Sequence, residues 1–120
     1  MSYRNIAIIF FMGTSKLTQF TAEQNRKAEL YRVLGHPARI AIIEFLIAKN
    51  SCVCGDIVEN LPLSQSTISQ HLKALRNVGI IKGEIAGAKT CYCIDAKVWE
   101  ELKETTNLLT NSYSIKNECC

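Results

Sequence analysis

Six cysteines, arranged as three close pairs, are the residues of this sequence with the clearest capacity for chemistry. The pairs are Cys52 with Cys54, Cys91 with Cys93, and Cys119 with Cys120. The chain has 120 residues, 48% of them hydrophobic, which is enough apolar mass to fold without disulfide bridges. Paired cysteines in a reducing compartment are more often metal ligands or redox thiols than structural bridges. We therefore expect metal-binding or redox thiols rather than a disulfide framework.

The spacing of two of these pairs limits what they can bind together. In a regular helix, side chains two residues apart point about 200° away from each other. One ion therefore reaches both Cys52 and Cys54 only where the chain is extended or unwound. Cys91 and Cys93 alternate on an expected strand, so they share a face and should pack inward as small hydrophobic side chains. Thiolates are soft ligands and favour As(III), Sb(III), Cd(II) or Pb(II).

A helix with an acid-free face of hydrogen-bond donors is predicted over residues 65–77. Ser64 is a suitable N-cap, and Ile68, Leu72 and Leu75 recur at the spacing of a buried stripe. The remaining face contains donors only: Gln65, Ser66, Ser69, Gln70, Lys73 and Arg76. Residues 64–94 hold four basic side chains and a single acidic one, which suits an anionic partner such as a phosphate backbone.

This face has the properties needed to enter the major groove of DNA. The groove is about 12 Å wide and accepts one helix, whose N-terminal residues reach the base edges first. Base contacts are therefore predicted for Gln65, Ser66, Ser69 and Gln70. Phosphate contacts, which position a protein without reading sequence, are predicted for Lys73, Arg76 and Lys89. The alternative is a polar surface helix of a small bundle.

The surrounding pattern predicts a mainly α fold with a small β-hairpin. The predicted helices cover residues 16–35, 38–49, 52–61, 65–77 and 96–109. His36-Pro37 starts the second helix, which is nearly all apolar and should be buried on most sides. Period-two strands over residues 80–85 and 90–94 form a hairpin, and Asp95 caps the last helix. Helix, turn, helix and hairpin together predict a winged helix-turn-helix.

Three segments are expected along the chain. Residues 1–15 are an apolar N-terminal extension, residues 16–110 form the winged helix-turn-helix domain, and residues 111–120 are a flexible tail that ends in cysteines. The longest apolar run, residues 6–12, is far short of the roughly 20 residues that span a bilayer, so no membrane segment is expected. This run could imitate a short signal core, precede a true start at Met12, or pack against a partner subunit. A cytoplasmic location is expected.

Three stretches of the sequence resemble the ArsR/SmtB family of metal-responsive repressors. They are Leu-Gly-His-Pro-Ala-Arg-Ile at residues 34–40, Cys-Val-Cys-Gly-Asp-Ile at residues 52–57, and Leu-Ser-Gln-Ser-Thr-Ile-Ser-Gln-His-Leu-Lys-Ala-Leu at residues 63–75. The similarity runs from about residue 24 to residue 105. It implies a homodimeric repressor, not an enzyme, that needs no cofactor, sits on a palindromic operator and leaves when a metal or metalloid binds.

The resemblance also implies where the inducer binds. Cys52-Val53-Cys54 is similar to the family's arsenic-type motif, which implies As(III) or Sb(III), alternatively Cd(II) or Pb(II), as inducer. The arsenic-type motif often has a third cysteine where this chain has Ile57. A third ligand is therefore sought in Cys119 or Cys120. The family's zinc-type site uses histidines on the last helix, and this chain has none there.

Other functions remain open at this point. The same repressor could use its cysteines to sense oxidants or persulfides instead of a metal. A thiol oxidoreductase is disfavoured because no Cys-x-x-Cys motif is present. A winged helix that binds protein rather than DNA is the remaining alternative.

Overall fold

The computed structural model describes residues 19–86 and 89–113. It is mainly α with a small antiparallel sheet, as predicted. In chain order the elements are α1 (Ala22–Leu34), α2 (Pro37–Lys49), β1 (Val53–Cys54), α3 (Asp56–Asn60), α4 (Gln65–Asn77), β2 (Ile81–Ala86), β3 (Lys89–Ile94) and α5 (Ala96–Asn111). The described chain divides into two compact units between Arg32 and Val33.

Helix α1 begins later than predicted, at Ala22 instead of residue 16. Its start is set by a capping box. The backbone N–H of Gln24 donates to Thr21 Oγ1, and the backbone N–H of Thr21 donates to Gln24 Oε1, both at 3.0 Å. This reciprocal pair satisfies two N–H groups that the first turn would otherwise leave unbonded. The Thr-Ala-Glu-Gln sequence at residues 21–24 is the local signal for this start.

Helix α2 begins as predicted but is less buried than predicted. The side chain of His36 caps it by accepting a hydrogen bond from the Ala38 backbone N–H at 3.0 Å. The expectation of burial on most sides is wrong, since Ile47 is 51% exposed and Ile40 is also exposed. The contacts of α2 within its unit are with α4 and β3. These contacts cover a single stripe of buried side chains: Ile42, Ile43 and Leu46.

The predicted helix over residues 52–61 is wrong in its first half. Val53 and Cys54 form strand β1, and the helical segment α3 starts only at Asp56. Gly55 separates them with φ of +88°, a left-handed conformation that favours glycine. Pairing of β1 with the distant strand β3 determines this extended backbone. The periodicity of a local sequence does not indicate pairing with a segment so far along the chain.

Helix α4 has the predicted bounds, cap and buried stripe. Ser64 Oγ accepts a hydrogen bond from the Thr67 backbone N–H at 3.3 Å. Ile68, Leu72 and Leu75 are buried. The helix packs against α2, α3 and β2, so its apolar stripe anchors it on three neighbouring elements.

The sheet has strand order β1-β3-β2, with both pairs antiparallel. Strands β2 and β3 form the predicted hairpin, which is the wing. Asp95 caps α5 as predicted, with its carboxylate accepting from the backbone N–H groups of Lys97 and Val98. The helix runs two residues further than predicted, and within it Leu102 is buried while Leu109 is exposed.

Replacing Gly79 by Ala should destabilise the fold. Gly79 has φ of +88° and ends α4 in a Schellman motif, in which the Ile80 N–H donates to the Leu75 carbonyl at 3.1 Å. An added Cβ would lie 3.3 Å from Val98 Cγ2. We expect a loss of about 1–2 kcal/mol, which is the cost of the left-handed conformation for an L-residue. Urea unfolding measures it, and an unchanged midpoint would contradict this account of the turn.

Candidate nucleic-acid interface and thiol site

The face of α4 that is predicted to meet DNA is open to solvent. All six of its donor side chains are exposed: Gln65, Ser66, Ser69, Gln70, Lys73 and Arg76. The helix contains no acidic residue, so no carboxylate opposes a phosphate along its length. We call α4 the recognition helix from here on. Its polar face is free because its apolar stripe is fully used in packing.

Further positive charge lies on the wing. Lys82 is exposed on β2. Lys89 is the first residue of β3, but its side chain lies outside the described part of the structure. The predicted phosphate contact of Lys89 therefore stays a prediction. Lys73 and Arg76 on the recognition helix and Lys82 on the hairpin are thus three exposed cations of this region.

A cluster of two histidines and an arginine joins α2 to the recognition helix. Arg39 Nε donates a hydrogen bond to His71 Nδ1 at 3.1 Å, and Arg39 Nη1 donates to the Val33 carbonyl at 3.0 Å. The rings of His36 and His71 lie 4.4 Å apart, centroid to centroid. Arg39 and His71 are 32 positions apart in the chain, and the sequence contains no local signal for this contact.

The environment of His71 favours its neutral form. Burial lowers the pKa of His71 below its usual value of 6.5, and the charges of His36 and Arg39 lower it further. Protonation would also place a proton on Nδ1, which accepts the hydrogen bond from Arg39. The cluster therefore orients the recognition helix best when His71 is uncharged.

Acidification should weaken the fold through this histidine. Because the pKa of His71 is lowered in the folded state, its contribution to stability is complete above pH 6.5 and is lost as the pH falls below that value. One proton limits the slope to about 1.4 kcal/mol per pH unit. Urea unfolding at pH values from 5 to 7.5, in steps of about 0.5 pH unit, measures how the free energy of unfolding depends on pH. The His71→Asn variant keeps an acceptor for Arg39 and should show a flatter profile; an equally steep profile would exclude His71 as the cause.

Four of the six cysteines form two disulfides that join β3 to β1 and to the residue just before β1. Cys52 is bonded to Cys93, and Cys54 to Cys91, with Cα atoms 4.4 and 4.1 Å apart. The expectation that these cysteines form no disulfides is therefore wrong. The reason lies in the strand pairing, since Cys54 is directly opposite Cys91 and residues two apart share one face of a sheet. Cross-strand pairs of this closely spaced kind have Cα atoms about 4.5 Å apart.

The two halves of this cluster differ in exposure. Cys91 and Cys93 are buried, as predicted, with 6% and 7% of their surface exposed, whereas Cys52 and Cys54 are exposed. Because the chain is extended at β1, Cys52 and Cys54 share a face, which is the condition stated above for one ion to reach both. With both disulfides formed, the described residues contain no group of three or more His, Cys, Asp or Glu side chains arranged for a metal. Cys119 and Cys120 lie outside the described residues.

The disulfide-bonded cysteines are connected to the recognition helix through one intermediate element, α3. Strand β1 leads through Gly55 into α3, and α3 packs on both β1 and the recognition helix. A displacement of β1 relative to β3 would therefore reach the recognition helix through one short helix.

None of the helices among residues 19–86 and 89–113 is both long and apolar enough to cross a membrane.

A helix-turn-helix with an exposed donor face, followed by an antiparallel wing, defines a winged-helix DNA-binding regulator. The profile described as "Bacterial regulatory protein, arsR family" matches residues 36–82. An uncharacterized HTH-type transcriptional regulator from Methanocaldococcus jannaschii is 36% identical over 80 residues, which cover 65% of this chain and 89% of the relative. The chain therefore belongs to the arsR family of transcriptional regulators.

The chain is also similar to a further curated protein and to a solved structure. The arsenical resistance operon repressor of Staphylococcus xylosus is 25% identical over 83 residues, covering 69% of this chain and 79% of that protein. The solved structure of an ArsR-like transcriptional regulator from Rhodococcus sp. RHA1 has a TM-score of 0.65 at 18% identity, covering 77% of this chain and 86% of that one. At that identity the structural likeness concerns the fold alone. The family's regulators are DNA-binding proteins and not enzymes, as predicted.

Proposed function

We propose that this arsR-family repressor releases its operator when As(III), Sb(III) or another thiophilic ion binds the thiolates of Cys52 and Cys54. The observation that carries the proposal is the position of Cys54 in β1 and of Cys52 just before it, in the segment that leads into α3, which packs on the recognition helix. Soft thiolates select soft ions over the hard oxygen-bound cations. The likeness to an arsenical resistance operon repressor supports the same class of inducer.

In this proposal the recognition helix lies in the major groove. Gln65, Ser66, Ser69 and Gln70, on its first two turns, contact base edges, where a Gln side chain can pair bidentately with adenine. The cations contact phosphates and fix the register of the protein on the duplex: Lys73, Arg76 and Lys89. In this proposal the recognition helix must be able to move relative to the wing, so that its base contacts and the phosphate contacts form at the same time.

Release is a matter of linkage between two binding sites. The ion must bind the arrangement that fails to fit DNA more tightly than the arrangement that fits it. A coupling of about 1–3 kcal/mol weakens operator binding roughly 5–150-fold. Strand β1 and α3 provide the physical connection, because the ion pulls on the strand from which α3 starts.

The proposed acting form is a homodimer. Large apolar side chains are exposed at the end of α5 and just beyond it: Leu108 is 68% exposed, and Leu109 and Tyr113 are also exposed. Contiguous exposed apolar residues of this kind are typical of interaction surfaces. A dimer also matches a palindromic operator, whose half-sites are about 34 Å apart and require two recognition helices.

A second candidate is control by thiol oxidation, and the two disulfides favour it. In the cytoplasm, where we place a DNA-binding repressor, thiols are kept reduced. An organic hydroperoxide could oxidise each pair. Two thiols then lose two protons and two electrons to form one S–S bond, and the hydroperoxide is reduced to an alcohol and water. The disulfides would link β1 to the wing and so restrict the movement of the recognition helix relative to the wing, on which the base contacts and the phosphate contacts both depend.

A gel-shift experiment separates the two candidates. An operator is first selected from a random duplex pool with the reduced protein, and the complex is then titrated with arsenite or with a hydroperoxide. Release by arsenite in the presence of a monothiol reductant supports the metalloid proposal. Release by hydroperoxide alone supports the redox candidate. A complex that survives both reagents contradicts both forms of the proposed function.

A further inference from the structure

We infer that His36 and His71 together bind a phosphate group of the DNA backbone, to which each imidazole donates a hydrogen bond from its Nε2–H. Neither histidine belongs to the predicted set of DNA-contacting residues, which are Gln, Ser, Lys and Arg side chains. The inference rests on the proposed placement of the recognition helix in the major groove. It extends the contact surface from that helix to the start of α2, which His36 caps.

The hydrogen bonds of the two rings fix which nitrogen carries the proton. The Ala38 backbone N–H donates to His36 Nδ1 at 3.0 Å, and Arg39 Nε donates to His71 Nδ1 at 3.1 Å. A backbone amide and a guanidinium can only donate, so both Nδ1 atoms accept and carry no proton. In a neutral imidazole the proton is then on Nε2. Each ring therefore has one N–H donor that points away from its hydrogen-bond partner.

The two donors are neighbours and are open to a ligand. Within residues 19–86 and 89–113 the structure gives neither Nε2–H an acceptor. His36 is exposed and His71 is half-buried, so the pair can be reached from solvent. The ring centroids are 4.4 Å apart, with 49° between the ring planes. Both Nε2–H groups can therefore approach a single phosphate group.

The charge around the pair favours an anion. Arg39 is a permanent cation in contact with His71, and in the described part of the chain no carboxylate lies within salt-bridge distance of it. Burial lowers the pKa of His71 below 6.5, and the charges of His36 and Arg39 lower it further. The ring of His71 is thus neutral and in its donor form above pH 6.5, while Arg39 supplies the attraction for a phosphate.

The pair lies on a flank of the recognition helix. A helix with its side chains is about 10–12 Å across, and the major groove is about 12 Å wide, so the flanks of a helix in the groove lie against the phosphate strands. His71 lies between the exposed Gln70 and the buried Leu72 around the helix. His36 brings the start of α2 to the same flank. A phosphate contact there positions the helix without reading sequence.

Amide variants separate the Nε2–H donor from the rest of the ring. In His71→Asn the amide oxygen replaces Nδ1 and can still accept from Arg39, but the donor is lost. In His71→Gln the amide nitrogen replaces Nε2 and keeps the donor. We expect His71→Asn to weaken binding to operator and random duplexes alike, about 10-fold, and His71→Gln to restore most of this loss. His36→Asn keeps the cap of α2 and should weaken binding to both duplexes by a similar factor.

The salt dependence of binding separates this contact from a lysine contact. A neutral donor releases no counterion, so at about pH 7.5 the slope of log K against log salt should be the same in His71→Asn as in the unaltered protein, whereas Lys73→Ala lowers it by about one. Anisotropy titrations at several salt concentrations measure it, and equal urea midpoints show that the variants are folded. Unchanged affinity in His71→Asn, a slope lowered by one, or equal weakness of His71→Gln would overturn the inference.

A modified operator locates the contact on the DNA. An uncharged methylphosphonate is placed at successive backbone positions. One position is expected at which it weakens binding of the unaltered protein but costs little further in the double variant His36→Asn with His71→Asn. Absence of such a position would overturn the inference, even if inorganic phosphate alone shifts the ring NMR signals, since the pair then binds a free anion. Failure of the helix placement looks different: Gln70→Ala then changes binding to neither duplex.

Discussion

Replacing Gln70 by Ala is expected to weaken operator binding about 5–150-fold while leaving binding to random duplex DNA nearly unchanged. Gln70 is exposed on the donor face of the recognition helix, on its second turn, where helices in the major groove reach base edges. A bidentate contact to a base contributes about 1–3 kcal/mol of discrimination. Non-specific binding depends on phosphate charge, which this substitution does not alter. Fluorescence anisotropy with operator and random duplexes measures both affinities.

Matched variants define what the loss at Gln70 means. Gln19→Ala removes an exposed amide that precedes α1, outside the proposed interface, and should leave both affinities unchanged. Lys73→Ala should weaken binding to both duplexes and reduce the slope of log K against log salt by about one, because one phosphate contact is lost. Lys97→Ala, on α5, is its control. An equal loss on operator and random DNA in Gln70→Ala would contradict base recognition by this residue.

The second large effect is expected at the exposed cysteines. The Cys52→Ser and Cys54→Ser double variant should bind the operator with wild-type affinity under reducing conditions, and arsenite should no longer release it. Serine keeps the size of the side chain but replaces the soft thiolate by a hard hydroxyl, which a thiophilic ion does not select. The full 5–150-fold effect of the inducer should therefore disappear. Titration of the variant–operator complex with arsenite, followed by gel shift, measures it.

The tail cysteines provide the comparison for this variant. Cys119→Ser with Cys120→Ser removes two thiols as well, and it should still release the operator as the unaltered protein does. If the Cys52 and Cys54 variant dissociates at the same arsenite concentration as the unaltered protein, the inducer site is elsewhere in the chain.

The parts of the fold that could be predicted from sequence are those set by local signals. The bounds of the recognition helix follow from the sequence because a cap at Ser64 and a stripe at Ile68, Leu72 and Leu75 are all encoded within a dozen residues. The cap of α5 by Asp95 and the hairpin are similarly local. Exposure of the donor face follows directly from the burial of that stripe, because helical periodicity fixes which side remains.

Features that depend on distant pairing were missed. Periodicity predicts a helix at Cys52 and Cys54, but pairing with β3, some 37 residues further along, holds Val53 and Cys54 in a strand. The burial of Cys91 and Cys93 agrees with the prediction. Their disulfide partners, Cys54 and Cys52, do not follow from the sequence pattern. The Arg39–His71 hydrogen bond was missed for the same reason. The thiol site is thus assembled by the sheet, and no motif in either segment alone describes it.

Anisotropy of a labelled operator bound to the reduced protein, recorded before and after one equivalent of arsenite, tests the central claim most directly. The account predicts that the operator dissociation constant rises about 5–150-fold and returns to its starting value when a dithiol chelator removes the arsenic. A dissociation constant that stays the same while arsenic is bound to the cysteines of β1 would contradict it.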